Sequence, residues 1–287
     1  MKILYAFLLM ATCAMAAMNP ASLVTYTVPG EVKSPCLNVT AEQLRAIKSE
    51  KQLQTYGTLK AIVIRPETNK RTMLPSALIT KQGLTGDKGA RPDFAYPHLV
   101  AVALMRADVS GVLGGAHVPG DNLHVDGMTL DTQRLHPGDL IAISEPDNKQ
   151  KIKASFLMTD IPHTACFRLK ARVGEKAFRF INGMGEFEEE ENTLTAHDGQ
   201  KLNGPQQRLR GVFLTVLEEG IPSVDDLVFI ITGQEKDEYI AKRGLSEFCK
   251  KALAESLVAK ESFRGKEETI RKAHINAYLR EKNAQSV

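Results

Sequence analysis

The residues best placed to do chemistry lie between Phe156 and Lys170, a stretch that reads F-L-M-T-D-I-P-H-T-A-C-F-R-L-K. A strand-like apolar start breaks at Pro162, and a thiol, Cys166, follows with His163 three residues before it. If the tail is extended, Cys166, Arg168 and Lys170 share one face, and Phe167 and Leu169 share the other. Fixed positive charge lowers the pKa of a thiol, so this cysteine is favoured as a thiolate. That suits a nucleophile or a ligand for a soft metal. The competing reading is simple packing, since free cysteine is among the most buried residue types.

Other arrangements are weaker. A cysteine peptidase would pair Cys166 with a general-base histidine and an orienting Asn or Asp. His98, His117, His124 and His163 are available, but no local signature supports that chemistry. Zinc would ask for several Cys and His at short spacing, and only His163-x-x-Cys166 qualifies. No GxGxxG opens a helix and no GK[ST] occurs, so a nucleotide loop is absent. Arg208 and Arg210 read as one face of a strand before Gly211, there to meet an anionic ligand or simply to be solvated. Glycine–acid turns recur at Gly86-Asp87, Gly120-Asp121-Asn122 and Gly138-Asp139. In each, Gly tolerates positive φ and Asp bonds its own backbone. An ordinary turn accounts for Gly138-Asp139. At Gly120 the Asp121-Asn122 pair offers donors and acceptors beyond what a turn needs.

The elements that must position these residues follow from the pattern. The chain has 287 residues, 43% hydrophobic and 25% charged, a globular composition. It is long enough for one large domain with an appendage or for two small ones. A net charge of +3, no Trp and no basic stripe interleaved with aromatics argue against nucleic acid as a partner. The cysteines, Cys13, Cys36, Cys166 and Cys249, are scattered, which argues for reduced thiols over a disulfide framework.

Residues 1–17 read as a targeting segment. Lys2 precedes a nearly all-apolar run, and Ala14-Met15-Ala16 resembles a cleavage site. A cleaved signal, an uncleaved membrane anchor and a misassigned start with Met18 as initiator remain open. The first two imply a secreted or membrane-anchored protein, with the membrane met only through residues 1–17, and the third a cytoplasmic one.

Residues 18–56 hold one short helix, between Asn38 and Leu53, with Thr40 as its cap and Glu42 closing the capping interaction. Over 57–232 short β-rich runs alternate with glycine turns. Strands are expected at Gly57–Arg65, Met73–Thr80, Leu99–Met105, Leu135–Ile143, Ile152–Leu157, Arg208–Leu217 and Leu227–Thr232. A short helix or turn is expected at Asp108–Leu113, and the glutamate run within Gly183–Glu191 reads as a solvated loop. From residue 233 to 287 the period becomes helical, with Leu245, Phe248, Ala252, Leu253 and Leu257 on one stripe. The predicted class is α+β, mainly β: a β-barrel with short helices and a C-terminal helical extension.

Taken in order, these turns resemble the MOSC domain, found at the C-terminus of molybdenum cofactor sulfurases and in stand-alone proteins. Gly83-Leu84-x-Gly86-Asp87 is similar to its GLxGD turn, and Gly120-Asp121-Asn122-Leu123 with Gly127 to its G-E-N-L…G-L segment, with Asp in place of Glu. Gly138-Asp139 is similar to its G-D turn, and Pro162-x-x-x-Cys166-Phe167-x-Leu169 to the segment carrying its cysteine. Gly211-Val212 with Gly220 and Asp226 resembles its last strand pair. The resemblance spans Thr58 to Ile231 and departs at Gly89–Asp93, Ala165 and Asp225, where family residues differ.

What the resemblance implies is a β-barrel that binds the molybdenum–pyranopterin cofactor. Cys166 would be the metal ligand and catalytic residue, and the reaction would reduce N-hydroxylated small molecules with electrons from a donor protein. Lys88, Arg91, Arg168, Arg208 and Arg210 are candidates for the pterin phosphate, and Asp121 and Asn122 for the pterin edge. Two alternatives stand beside it: a sulfur carrier or cofactor-handling module with a persulfide on Cys166, and a non-catalytic interaction barrel.

Overall fold

A computed structural model describes residues 24–27, 40–67, 69–88, 95–163, 167–182 and 208–261. The expected targeting segment, Cys13, Cys36, Arg91, Cys166, the glutamate run and residues 262–287 of the expected helical extension lie outside the described residues. The strands are β1 (Val24–Thr27), β2 (Tyr56–Ile64), β3 (Lys70–Leu74), β4 (Ile79–Thr80), β5 (Gly83–Leu84), β6 (Val102–Arg106), β7 (Leu123–Asp126), β8 (Leu140–Glu145), β9 (Asn148–Met158), β10 (Val212–Glu218) and β11 (Leu227–Ile231).

All but the small β4–β5 pair belong to one nine-stranded sheet in the order β1-β3-β2-β11-β8-β9-β10-β6-β7. It is antiparallel except where β6 runs parallel to β7. The long strand β2 organises it. Its first half pairs β11 through Tyr56, Gly57 and Thr58, its last residues pair β3, and its middle pairs β7. The sheet therefore curls back on itself through β2 and β7, while β3 and β1 branch off, with β1 at the edge among the described residues. It is mainly β and of the α+β class, as expected, but it is not the plain closed barrel that the sequence predicts.

Burial explains why the central strands read as unbroken apolar runs. Along β8, Ile141 and Ile143 enter the interior with Leu59, Leu104, Phe156 and Val216, whereas Leu140 and Ala142 face a second cluster on the other side. That outer cluster is covered by the helical extension. Helix α4 (Gly233–Lys242) brings Tyr239, and a following helix, α5 (246–261), brings Cys249, Ala252 and Ala259. With both faces covered, strand alternation disappears. Burial pushes the Cys249 thiol up, as fits a packing cysteine.

Polar bonds hold the extension down. Glu218 on β10 accepts hydrogen bonds from the Tyr239 hydroxyl, Ser155 Oγ (3.0 Å) and Arg243 Nε (2.7 Å). Farther along, Lys260 meets Asp160 at 2.6 Å and Glu255 meets His98 at 2.8 Å.

Three helices close one end of the sheet: α1 (Ala41–Arg45), α2 (Ala107–Val112) and α3 (Phe167–Ile181). Their apolar residues form a third cluster with Met105 of β6 and Leu209. Thr40 caps α1, but the box is closed by Gln43, not Glu42, because the third helical residue is the one that reaches back to the cap N–H. The expected strand over Met73–Thr80 splits into β3 and β4 at Pro75, which cannot donate to the ladder. The extended tail expected for Arg168 and Lys170 is instead helix α3, interrupted at Gly174 with φ 82°. On a helix, positions two apart do not share a face.

A buried ion network ties this end to the sheet. Arg106, 1% exposed, donates to Glu50 (3.1 Å), to Asp108 (2.7 Å) and to the Lys48 carbonyl (2.6 Å). Replacing Arg106 with Met would take the guanidinium from buried Glu50 and half-buried Asp108. We expect R106M to lose about 3–5 kcal/mol in urea unfolding, the cost of breaking a buried pair from one side.

Candidate functional site

Two of the glycine–acid turns, Gly86-Asp87 and Gly120-Asp121-Asn122, meet in space. Asp87, after β5, accepts from the Arg65 backbone N–H (2.7 Å) and from its guanidinium through Nε (3.0 Å) and Nη2 (2.6 Å). It also accepts from Asn122 Nδ2 at 2.9 Å. Asn122 Oδ1 in turn accepts from the Ala103 N–H at 3.1 Å, and Nδ2 also reaches the Val63 carbonyl at 3.3 Å. The amide of Asn122, expected to meet a ligand edge, is thus engaged inside the protein. It ties the end of β2 to the start of β6 and holds Asp87 in place.

Asp121, one residue earlier, is 2% exposed and points to different partners. One carboxylate oxygen accepts from Arg210 Nη1, and the other lies 3.2 Å from His163 Nε2. Its backbone carbonyl is 3.1 Å from His124 Nε2. Burial alone would raise the Asp121 pKa. Arg210 first, then His163 and His124, outweigh it and hold the carboxyl below its ordinary range. An ionised Asp121 can only accept, so His163 Nε2 carries the proton that lies between them. Burial takes His124 down to about 4 and keeps it neutral. Two buried polar atoms here, Arg210 Nε and His124 Nδ1, make no hydrogen bond among the described residues.

Around these carboxylates gather further guanidinium groups. Arg71 and Arg172 are both buried. Arg71 donates to the Lys70 carbonyl at 2.8 Å, and Arg172 reaches the Val118 carbonyl at 3.4 Å. The Arg71 pKa is brought down to about 10, by burial first and then by the like charges of Arg172 and Arg65, with Asp87 and Asp121 opposing. Gly120 is what lets Arg71 lie there. With φ 71°, a Cβ on it would stand 2.5 Å from Arg71 Nε. Gly211 does the same for the turn carrying Arg210: at φ 92°, a Cβ would stand 2.2 Å from the Leu104 carbonyl oxygen.

The sequence candidates divide accordingly. Asp121, Asn122 and Arg210 lie in this cluster. Arg208 does not share a strand face with Arg210, because both sit in the turn before β10. Arg208 has φ 44° and donates to the Leu135 carbonyl at 2.7 Å, a fixed structural role. Lys88 is exposed just after Asp87. Arg168 lies on α3, where only its backbone is described, and Arg91 and Cys166 lie outside the described residues. The sequence reading missed Arg65, Arg71 and Arg172. The first two look like ordinary charges flanking a hairpin, and the third fell in a region not read as helix.

No protein-family model matches the chain, and no curated protein does. Among solved structures, it is similar to the YUAD protein from Bacillus subtilis, with 12% identity over 62% of this chain and 97% of that one and a TM-score of 0.39. It is also similar to YiiM from Escherichia coli, with 15% identity over 61% and 70% and a TM-score of 0.38. YiiM from Geobacillus stearothermophilus gives 12% identity, 64% and 81% coverage and a TM-score of 0.34. No family membership follows from likenesses at this level.

Asp87 and Asp121 both have folded pKa values below the ordinary 3.8. Their contribution to stability is complete above the unfolded value and is lost as pH falls through it toward the folded values. We expect the free energy of urea unfolding to drop below about pH 4 from this cause. In Asp87→Asn that acid-side slope should be shallower, with lower stability at neutral pH.

Proposed function

We propose that this chain is a MOSC-type protein that binds the molybdenum–pyranopterin cofactor and acts as an oxidoreductase on N-hydroxylated small molecules, with Cys166 as the protein ligand to molybdenum. One observation carries the reading. Motif segments far apart in sequence, around Asp87, Asp121-Asn122, His163 and Arg210, meet in one hydrogen-bonded cluster.

The chemistry of the cluster fits such a cofactor. Its phosphate is anionic and its pterin edge is rich in donors and acceptors. Buried guanidinium groups at Arg71, Arg172 and Arg210 suit the first. Arg210 Nε and His124 Nδ1, buried without hydrogen bonds, suit the second. Among the described residues no three His, Cys, Asp or Glu side chains form a metal cage. A cofactor that brings most of its own metal ligands asks the protein for little more than one thiolate.

In this reading Cys166 would hold the metal, and Arg71, Arg172 and Arg210 would hold the anionic end, joined by Lys88, Arg91 and Arg168. When bound, the cofactor supplies two-electron chemistry that removes oxygen from the substrate, with electrons from a donor protein. Asp121 keeps Arg210 and His163 oriented, and Asn122 keeps the two turns in register.

The test is molybdenum and pterin content per chain, on protein made in a host that synthesises the cofactor. We expect near-stoichiometric metal, at least tenfold lower in Cys166→Ala, with cooperative unfolding retained because one thiol costs only about 1–2 kcal/mol. Arg71→Met should weaken retention without removing the thiol. Well-folded wild-type protein without metal, carrying cyanide-releasable sulfur on Cys166, would replace this reading with the sulfur carrier.

A further inference from the structure

Helix α3 is two helical pieces joined at Gly174, whose φ of 82° and ψ of 167° lie outside the helical region and suit glycine alone. Both pieces rest on the same apolar cluster, the first through Leu169 and Val173, the second through Ala177, Phe178 and Ile181. Between Leu169 and Val173 comes Arg172, which is buried. Its Nη1 reaches the Val118 carbonyl at 3.4 Å, and its charge bears on Arg71. Arg172 thus enters the group of guanidinium side chains from the piece before the break.

Glu175 spans that break. Its Oε2 binds Lys170 Nζ before Gly174, and its Oε1 accepts from Arg179 Nε at 2.6 Å after it. Burial would raise the Glu175 pKa, but Lys170 first and then Arg179 outweigh it and hold the carboxyl below its ordinary range. The Arg179 pair has the four-residue spacing of ordinary helical neighbours. The Lys170 pair does not, since residues five apart stand about 140° round an unbroken helix. That ion pair needs the break.

We propose that Lys170 and Glu175 form a strap across Gly174 that sets the direction of the first piece and so positions Arg172 beside Arg71. Its consequence for the cofactor rests on the reading given above, whereas the strap itself does not. The physical ground is that helical backbone fixes direction within each piece but not across a residue without helical geometry. There side-chain contacts decide. The apolar contacts of Leu169 and Val173 are non-directional, whereas charge-assisted hydrogen bonds have a defined geometry.

Three variants test the strap. Lys170→Met and Glu175→Gln cut it from either side, and Lys170→Arg keeps a cation in place. Two measurements apply to each. One is the rate at which molybdenum is lost on dialysis of protein made with the cofactor. The other is the Nε–H resonance of Arg172 in cofactor-free protein carrying isotope-labelled arginine, assigned by its absence in Arg172→Lys.

The proposal expects metal to be lost about two- to fivefold faster in both K170M and E175Q, within what one half-exposed ion pair can supply. In K170R the rate should stay at the wild-type value. Charge alone predicts something else, because K170M removes a positive charge and E175Q a negative one. Rates that move in opposite directions would therefore overturn the proposal, and so would rates unchanged in both. In cofactor-free protein the Arg172 resonance should move in K170M and E175Q and return in K170R. A resonance that stays in place defeats the strap. If wild-type protein holds no molybdenum, the cofactor reading fails by itself, and the resonance still decides. Should E175Q not fold, Glu175→Ala takes its place.

Discussion

The structure depends on one constraint: a carboxylate taken out of water must find its full set of donors. Asp121 and Asp87 are both in that position, and each solves it with residues from other parts of the chain. Asp121 takes Arg210 from the turn before β10 and His163 from the exit of β9. Asp87 takes Arg65 from the end of β2 and Asn122 from the turn before β7. Because Asp121 and Asn122 are adjacent, the two sets are mechanically joined. Moving either turn would leave a buried charge short of donors, a larger penalty than most packing changes.

The same constraint explains the glycines. Gly120 and Gly211 sit where a guanidinium and a carbonyl respectively come closer than any side chain would allow. They adopt positive φ, which only glycine does without strain. What looks in sequence like turn punctuation is also the clearance needed to bring arginines up to aspartates. The helical extension works on the opposite side, burying the outer face of β8, β9 and β10, and through Lys260 and Glu255 it also holds the segments around Asp160 and His98. The site and the tail thus share the strands β9 and β10 as a common support.

Much of the frame was legible beforehand because strands and turns are local events. The runs that became β2, β8, β9, β10 and β11 carry β-branched residues between glycine turns, and the switch to helical period at residue 233 coincides with α4. The strand expected after Cys166 differs from the structure for a physical reason. The segment after Cys166 alternates charge and hydrophobe over a few residues, which fits a strand. Yet Leu169, Val173, Ala177 and Phe178 also repeat at helical spacing, and burial against Met105 and Val109 selects the helix. A pattern that short supports two periods, and tertiary burial chooses between them.

The sequence by itself determined which residues are exceptional: an Asp-Asn pair exceeding the needs of a turn, a thiol near a histidine, glycines before acids, and arginines where a strand begins. Those are properties of single residues and their neighbours. Only the tertiary structure decided their partners: Asp121 with Arg210 and His163, Asp87 with Arg65, and Arg71 beside Arg172. Pairing of buried charges is set by which strands lie side by side and by how the sheet curls through β2, and the Asp121–Arg210 contact joins residues 89 positions apart. Local pattern carries no record of that distance, so Asp121, Asn122 and Arg210 could be suspected from the sequence, but Arg65, Arg71, Arg172 and the geometry could not.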